Sequence, residues 1–550
     1  MEPEKLIASL TRPEAFAHEV GEVTVLQTHI SIVFLVGEYA YKIKKAVRLG
    51  FLDFSTLAAR RHFCEEEVQL NRRLAPQVYL GVVPITESPD GLCVEGSGEV
   101  IEWAVKMRRL PDEATLEHRI RENLVGVSEL ERVARKLAEF HAKGDSSEGI
   151  AQYGRFAAVA ENAMDNFRQT KAHVGECRHL AGRRAQGPCF AGGCVSQAVY
   201  ERVKALTEQR LDELRPIIEH RAEHGITKDT HGDLRVDLVY LFPDEAPPGD
   251  IIILDCIEFN ERFRYADPIA DIAFLVMDLH YHGRRDLARV LARAYFQSAD
   301  DTQGQALLPL YCAYRAVVRA KVEGLKANEP EVDRADRDKA FREARAHWLL
   351  ALAELEKAGR TPCILLVGGL PGTGKSTLAR SLAAAHDFEL LRTDVVRKEL
   401  VARDGENLAK EFYSQEWNER TYLECLHRTE AWLFEGKRVL IDASFREERR
   451  RDMFVRLAKE WGIPLLFLHC EAAVDVVRGR LENRVGDASD ADWDVFLHAA
   501  ELWQDSSPTT HRVTERISTD GTPEEVVELA EIVLRNHGLV DTSGPDNALS

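Results

Sequence analysis

The sequence predicts two successive folds: an α+β domain that opens as an antiparallel sheet, and then an α/β domain whose parallel sheet is covered by helices. Three observations carry this. Short apolar runs with period-2 alternation fill residues 23–47. Strand and helix patterns alternate regularly from Cys363 onward. Gly369-Leu-Pro-Gly-Thr-Gly-Lys-Ser376 stands between the apolar run ILLVG and a helical stretch, STLARSLAAA.

In the first domain, VTVLQ, ISIVFLV and YAYKIKKAV read as strands, with Gly37-Glu38 as the turn between two of them. Residues 54–74 change to helical spacing. A strand pair follows at LGVVPITE and VIEWAVKM, with Pro89-Asp90-Gly91 as its turn. Residues 128–142 and 155–220 read as mostly helical. LVYLF and IIILDCIEF form a hairpin across PDEAPPGD, and long helices continue to about residue 357. EKAGRTP separates the domains, placing the first at 1–357 and the second at 361–536. The second runs strand, Gly-rich loop, helix, the short strand FELLRT, helices, RVLIDAS, a helix and IPLLFLHC. Residues 537–550 are polar and aperiodic and read as a disordered tail.

Composition narrows the function. With 550 residues, 45% of them hydrophobic, the chain can bury at least two cores. A formal charge of -19 opposes nucleic-acid binding, and no Lys/Arg run reverses it locally. No uninterrupted apolar run approaches the roughly 20 residues that span a bilayer, and the N-terminus lacks a signal pattern. Ten cysteines scattered through a large chain suit reduced thiols, so a cytoplasmic protein is expected, without membrane or nucleic-acid partners. Oligomeric state is not readable. Cys177, His179, Cys189 and Cys194 lie close together in a Gly-rich stretch and are of zinc-binding type, but their spacing matches no common zinc pattern; an inserted loop with incidental thiols is the other reading.

The second domain holds the strongest motif, G-x-x-x-x-G-K-[ST]. Gly369, Pro371, Gly372, Thr373 and Gly374 form a loop whose N–H groups can close around phosphates at a helix N-terminus, with Thr377 in that helix's first turn. Lys375 is expected to reach the β- and γ-phosphates of ATP, and Ser376 to ligate Mg²⁺. Asp442, ending VLID, is either a second metal-side carboxylate or a helix cap. Asp394 and Arg397, three apart, are either a proton acceptor with a substrate-holding guanidinium, or an N-cap with a solvated arginine. Arg480 and Arg484, spaced i,i+4 on a helix expected to end near Gly486, can present two cations to a transferring phosphoryl group.

GLPGTGKST, Thr393-Asp394-x-x-Arg397, VLIDASF and R-L-E-N-R before SDA resemble the P-loop kinases of the gluconate kinase, chloramphenicol phosphotransferase and zeta-toxin kind over about residues 361–535. The resemblance implies transfer of phosphate from ATP to a small hydroxylated acceptor, these pieces holding phosphate, substrate, metal and lid respectively.

The first domain has its own constellation: His231-Gly-Asp233-Leu-Arg, and Asp255 about twenty residues on. An Asp before a hairpin and another at its end match the catalytic and metal-binding loops of a kinase. With Ala40-Tyr-Lys42, Glu67 in EEEVQLNRRLA, VKMRRL at 105–110 and Asp267-Pro-x-x-Asp271-Ile-Ala, it resembles the aminoglycoside phosphotransferase and choline kinase-like group over about residues 20–345, which have a bilobal protein kinase-like fold. The resemblance implies that Asp233 accepts the substrate proton, Asp255 holds Mg²⁺, Lys42 binds the α- and β-phosphates and pairs with Glu67, and 105–110 meets adenine. Lys44 is the alternative lysine; Glu65 and Glu66 are weaker alternatives to Glu67. Two departures stand out: Leu238 replaces the Asn expected five residues after Asp233, leaving only Asp237 nearby, and LQTHIS has no glycine for a nucleotide-covering loop.

The whole order resembles the bacterial bifunctional aminoglycoside phosphotransferase/ATP-binding proteins. It implies an ATP- and Mg²⁺-dependent phosphotransferase whose first domain is a second phosphotransferase or a ligand-binding site. An ATP-hydrolysing regulatory switch with a pseudokinase sensor, or a zeta-toxin-like sugar-nucleotide kinase, are the alternatives.

Overall fold

Period-2 alternation is realised first in a six-stranded antiparallel sheet of the computed structural model, which describes residues 3–16, 21–50, 52–89, 91–177, 190–191, 193–329, 332–404, 414–483 and 492–541. The strands, in spatial order, are Val23–Gln27, Ser31–Val36, Tyr39–Lys44, Glu99–Arg108, Tyr79–Ser88 and Gly91–Val94. Gly37 supplies the positive φ of the first tight turn, +57°, as the sequence requires. The strand pair expected at 80–107 is present, but the turn near Pro89 leads into the extra strand Gly91–Val94, and Asp90 lies outside the described residues. Glu99–Arg108 pairs with both Tyr79–Ser88 and Tyr39–Lys44 and so carries the centre of the sheet.

Leu57–Asn71 packs on this sheet as a helix whose Thr56 side chain caps the Ala59 N–H at 3.1 Å. Its inward face carries Cys64, Glu67, Val68 and Asn71, all buried. Further along, Val239–Leu241 and Ile251–Ile253 form the expected hairpin. The buried helix Pro268–Tyr281 starts at Asp267, whose carboxylate caps Ile269 N–H at 2.9 Å.

In the second fold Ile364–Gly368 is entirely buried, as expected for a central parallel strand. The sheet order is Phe388–Arg392, Arg438–Asp442, Ile364–Gly368, Leu465–Glu471 and Thr514–Ser518, all parallel. Every carboxyl end therefore lies on one edge. The fifth strand, Thr514–Ser518, has no counterpart in the sequence reading; its edge position and half-polar make-up hide it from apolar periodicity.

The two compact units are residues 1–159 with 214–311, and residues 160–213 with 312–550. This differs from a division at 357–361. Phe167, Tyr200 and Trp348 cluster within the second unit, the Arg345 guanidinium stacks on Trp461 at 3.7 Å, and Val199 and Leu352 approach Gly436. Aromatic burial thus ties these helices to the P-loop sheet. The expected helical stretch 155–220 also contains the short strands Val174–Cys177, Phe190–Ala191 and Val195–Ser196.

The expected tail is shortened as well. Leu539 and Val540 are buried in the core of the parallel sheet, and the Leu539 carbonyl accepts from Arg438 Nη2 at 2.5 Å; residues 542–550 lie outside the described residues. Among the described residues, no helix is long and apolar enough to cross a membrane.

Candidate functional site

In the P-loop, Gly369, Gly372 and Gly374 all take positive φ, at +148°, +80° and +78°. These angles aim successive N–H groups inward and deliver the chain to the helix Lys375–Ala385. Thr373 Oγ1 donates to the Leu370 carbonyl at 2.8 Å, and Thr519 Oγ1 to the Thr373 carbonyl at 2.7 Å, so the loop is braced from both sides. Pro371, Ser376 and Thr377 stand at their expected places in the loop and the helix's first turn.

Asp442 lies at the edge beside the loop and is buried. It is not a helix cap: the next helix begins at Glu448 with Glu447 as N-cap. Its Oδ2 accepts from Arg392 Nε at 3.2 Å, whereas its Oδ1 is buried without a hydrogen-bond partner. An orphaned carboxylate oxygen beside a phosphate loop fits a Mg²⁺ ligand, with Ser376 as the second. Lys375 and Asp442 both act on the buried Cys470 thiol, in opposite directions, which puts them at the same end of the central strands.

Asp394 sits inside the first turn of the helix Thr393–Asp404, so the N-cap reading fails. Nor is Arg397 solvated: it is buried, with Nη1 3.4 Å from Asp394 Oδ1 and Nη2 donating to Asn418 Oδ1 at 2.8 Å. Thr393 Oγ1 donates to the Asp442 carbonyl at 3.3 Å, coupling this turn to the metal-side strand. Asn418 also lines a 380 Å³ polar cleft with Gln415, Arg446, Glu447 and Arg449.

Arg480 reaches the loop. Its Nη2 donates to the Thr519 carbonyl at 2.6 Å, its Nη1 is buried without a partner, and a Cβ on Gly374 would stand 3.5 Å from Nη1. The helix is Val474–Glu482, with Asn483 as its C-cap; Arg484 and Gly486 lie outside the described residues.

In the first unit, Lys42 and Lys44 project from one strand into a shared ionic cluster. Glu67 Oε1 is 2.9 Å from Lys42 Nζ, and Oε2 is 2.7 Å from Lys44 Nζ. Lys42 also contacts Asp255, and Lys44 contacts Glu258. Glu67 therefore serves both lysines, while Glu65 pairs with Arg61 on the surface. Burial opposes the Lys42 ammonium, but Asp255, Glu67 and Glu258 outweigh it and raise its pKa. Burial likewise works against ionised Asp255, yet Lys42, then Arg235 and Lys44, pull its carboxyl down to about 2.

Asp255 takes φ +64°, a left-handed conformation that Asp tolerates better than most residues, and its N–H donates to Tyr79 Oη at 3.2 Å. The Asp233 loop is fixed by Asp271, whose carboxylate accepts from the His231 N–H at 2.6 Å and the Gly232 N–H at 2.8 Å. His231 donates through Nε2 to the Leu254 carbonyl at 2.9 Å and accepts at Nδ1 from the Asp233 N–H at 3.3 Å, which assigns a neutral ring. Asp233 and Asp237 both pair with Arg235, at 3.4 and 3.1 Å.

Of the zinc-type residues, His179 and Cys189 lie outside the described residues, and Cys194 is a buried thiol pushed up to about 12 by burial. Among the described residues no group of three or more His, Cys, Asp or Glu is placed to hold a metal. Sequence reasoning missed Glu258, Arg235, Asn418 and Thr519. Glu258 and Arg235 follow Asp255 and Asp233 closely enough to have been found, whereas Asn418 and Thr519 come from distant segments with no motif.

A braced P-loop, a buried carboxylate beside it and an acid–arginine pair beyond define the class: this is a protein of mixed α/β fold with a P-loop domain. A family model described as "AAA domain" matches residues 364–504. The chain is 32% identical over 505 residues to the "Uncharacterized protein Rv2004c" of Mycobacterium tuberculosis, and likewise to the "Uncharacterized protein Mb2027c" of Mycobacterium bovis, covering 90% of this chain and 94% of each relative. The chain belongs to the same family as these mycobacterial proteins.

Solved structures resemble it in parts. A sugar kinase from Janibacter sp. is 21% identical over 33% of this chain and 98% of its own, with a TM-score of 0.25. A gluconokinase from Sinorhizobium meliloti is 17% identical over 33% of this chain and 95% of its own, also at 0.25. A choline/ethanolamine kinase family protein from Mesorhizobium loti is 14% identical over 64% of this chain and 99% of its own, at 0.34. At such scores these likenesses carry nothing further to this chain.

Proposed function

We propose that the P-loop unit transfers the γ-phosphate of ATP to a hydroxyl of a small acceptor, and that the first unit, arranged as a bilobal kinase-like domain, is a second nucleotide site. The observation that carries the reading is Arg397, buried between Asp394 and Asn418 at the sheet edge that also presents Asp442. A solvated surface pair would not bury its guanidinium. The cleft at Asn418, lined by Gln415, Glu447, Arg446 and Arg449, is polar throughout and suits a polyhydroxylated acceptor.

In this reading the P-loop N–H groups and Lys375 hold the triphosphate, and Ser376 and Asp442 hold Mg²⁺, which supplies charge neutralisation between phosphates. Arg480 covers the loop, with Arg484 following it in the chain. Asp394 accepts the acceptor's hydroxyl proton as the new O–P bond forms and the bond to the bridging oxygen of ADP breaks. Arg397 keeps Asp394 oriented. In the first unit Asp233 takes the equivalent role, Asp255 is the ion ligand, and Lys42 with Glu67 meets the phosphates, Lys44 being held by Glu258. The acceptor is a small molecule rather than a nucleic acid or a membrane, and the protein works in the cytoplasm.

The test is ADP release across a panel of sugars, sugar acids, nucleosides and aminoglycosides. With the first unit silenced by Asp233→Ala, acceptor-dependent release should vanish in Lys375→Ala, and fall about 10²–10⁴-fold in Asp394→Asn, the range for loss of a general base. ADP release that needs no acceptor and ignores Asp394→Asn would replace this reading with the regulatory ATP switch.

A further inference from the structure

The helix Gln197–Glu223 ends in Glu219-His220-Arg221-Ala222-Glu223, and His224 is the first residue beyond it. Residues four apart at a helix end share a face. His220 and His224 do so here: both are exposed, and their rings lie side by side, with centroids 4.0 Å apart and planes inclined by 36°.

The backbone that carries them is fixed from the inside. Ile218, Arg221 and Ala222 are buried. Arg221 Nε and Nη2 donate to Asp267 at 2.6 and 2.9 Å, and Nη1 and Nη2 donate to Asp301 at 2.7 Å each. The helix closes at Gly225, whose φ is +68°, and the Ile226 N–H donates back to the Arg221 carbonyl at 3.0 Å. Both histidines therefore stand on a turn that is already ordered.

His224 Nδ1 lies 2.7 Å from the His220 carbonyl oxygen. A carbonyl only accepts, so in the neutral ring the proton sits on Nδ1 and Nε2 keeps the lone pair. A metal-ligating histidine shows the same arrangement, with one ring N–H on a carbonyl and the other nitrogen turned to the ion. The flanking carboxylates are engaged elsewhere. Glu219 accepts from the Phe156 N–H at 3.1 Å and pairs with Arg155 at 3.3 Å, and Glu223 pairs with Arg155 at 2.9 Å. The face thus offers two imidazoles and no carboxylate, which suits zinc, nickel or copper rather than Mg²⁺ or Ca²⁺, whose ligands are oxygens.

We propose that His220 and His224 form a two-residue chelate for a late first-row divalent ion of the Zn²⁺ type, with solvent completing the coordination. It stands apart from the phosphotransfer reading of either unit. The ion bridges the last helical turn and fastens the chain just before Lys228–Asp229, the short strand that leads into the Asp233 loop.

The experiment uses the full chain without an added histidine tag, with Ni²⁺ as the probe and Mg²⁺ in excess to occupy oxygen-ligand sites. Calorimetric titration should find a Ni²⁺ site in the wild type that His220→Ala and His224→Ala each weaken about 10-fold or more, because the second imidazole acts at high effective concentration. Both rings are exposed, so without metal each variant should unfold in urea at the wild-type midpoint. Hydrogen exchange of residues 221–226 should slow with Ni²⁺ in the wild type and in neither variant. Glu223→Gln should leave the affinity within about twofold. Unchanged affinity in both alanine variants, a loss in one alone, or Ni²⁺ binding without protection of 221–226 would overturn the chelate. A loss in Glu223→Gln equal to that in the histidine variants would overturn the two-imidazole assignment.

Discussion

Gly369 and Gly374 occupy the two ends of the P-loop and both have positive φ, but the space around them differs. A Cβ at Gly369 would lie 2.5 Å from the Cys470 carbonyl oxygen and 2.9 Å from Thr373 Oγ1. The Cys470 carbonyl belongs to the strand Leu465–Glu471, whose register with Ile364–Gly368 is fixed, so it cannot retreat. At Gly374 the nearest atom is the Arg480 Nη1, 3.5 Å away, an ordinary contact. Gly374→Ala should therefore cost only its backbone conformation, about 1–2 kcal/mol, less some unfolded-state gain. Gly369→Ala adds overpacking against a rigid carbonyl, a further ~1–3 kcal/mol. Urea unfolding followed by tryptophan fluorescence reads this directly, because Trp348, Trp417, Trp432, Trp461, Trp493 and Trp503 all belong to the P-loop unit. Gly369→Ala should lose about 2 kcal/mol more than Gly374→Ala. Equal losses, or a larger loss at Gly374, would refute the argument that the strand carbonyl sets the loop's entry.

Two further outcomes follow from the sites. Asn418→Ala should raise the acceptor KM several-fold and leave ATP binding within about twofold, because Asn418 accepts from Arg397 and lines the cleft; an ATP-binding loss equal to the KM change would remove it from the acceptor side. His231 is buried and neutral, with its pKa lowered chiefly by burial. Its unfolded state binds a proton first, so its share of stability is complete above the ordinary histidine value of about 6.5 and declines as pH falls below it. Hydrogen exchange of the 230–255 segment, corrected for intrinsic rates, should show protection falling from about pH 6.5 downward in the wild type and a flatter profile in His231→Asn. A wild-type profile flat to pH 5 would contradict the burial argument.

The P-loop was legible because one contiguous stretch contains the strand, the glycines and the helix start, so local chemistry specifies it completely. Asp442 was legible as a carboxylate ending an apolar strand, but only the distance to the next helix, which begins at Glu448, rules out the cap. Arg397 illustrates the limit: a three-residue spacing places it beside Asp394, while its burial depends on Asn418, contributed by another helix after a long connection. Thr514–Ser518 escaped because an edge strand buries too little for its pattern to show. The division at residue 357 followed a Gly/Pro signal that marks a local break in the chain. Compactness is decided instead by where large aromatics such as Trp348 find partners, which local composition does not encode.

The two sites differ in how their charges are satisfied, and this bears on how each meets a ligand. Around the P-loop, Asp442 Oδ1 and Arg480 Nη1 are buried and unpaired, an arrangement that costs stability until an ion and a phosphate complete it. Binding there relieves an existing deficit. In the first unit Lys42, Lys44, Glu67, Asp255 and Glu258 are already paired with one another, two ammonium groups among three carboxylates. On the proposal of a nucleotide site there, a phosphate meeting Lys42 would compete with Glu67 and Asp255, so binding in the first unit would exchange partners rather than supply missing ones. The P-loop surroundings thus hold buried groups that lack partners, whereas the charged groups of the first unit have found theirs within the fold.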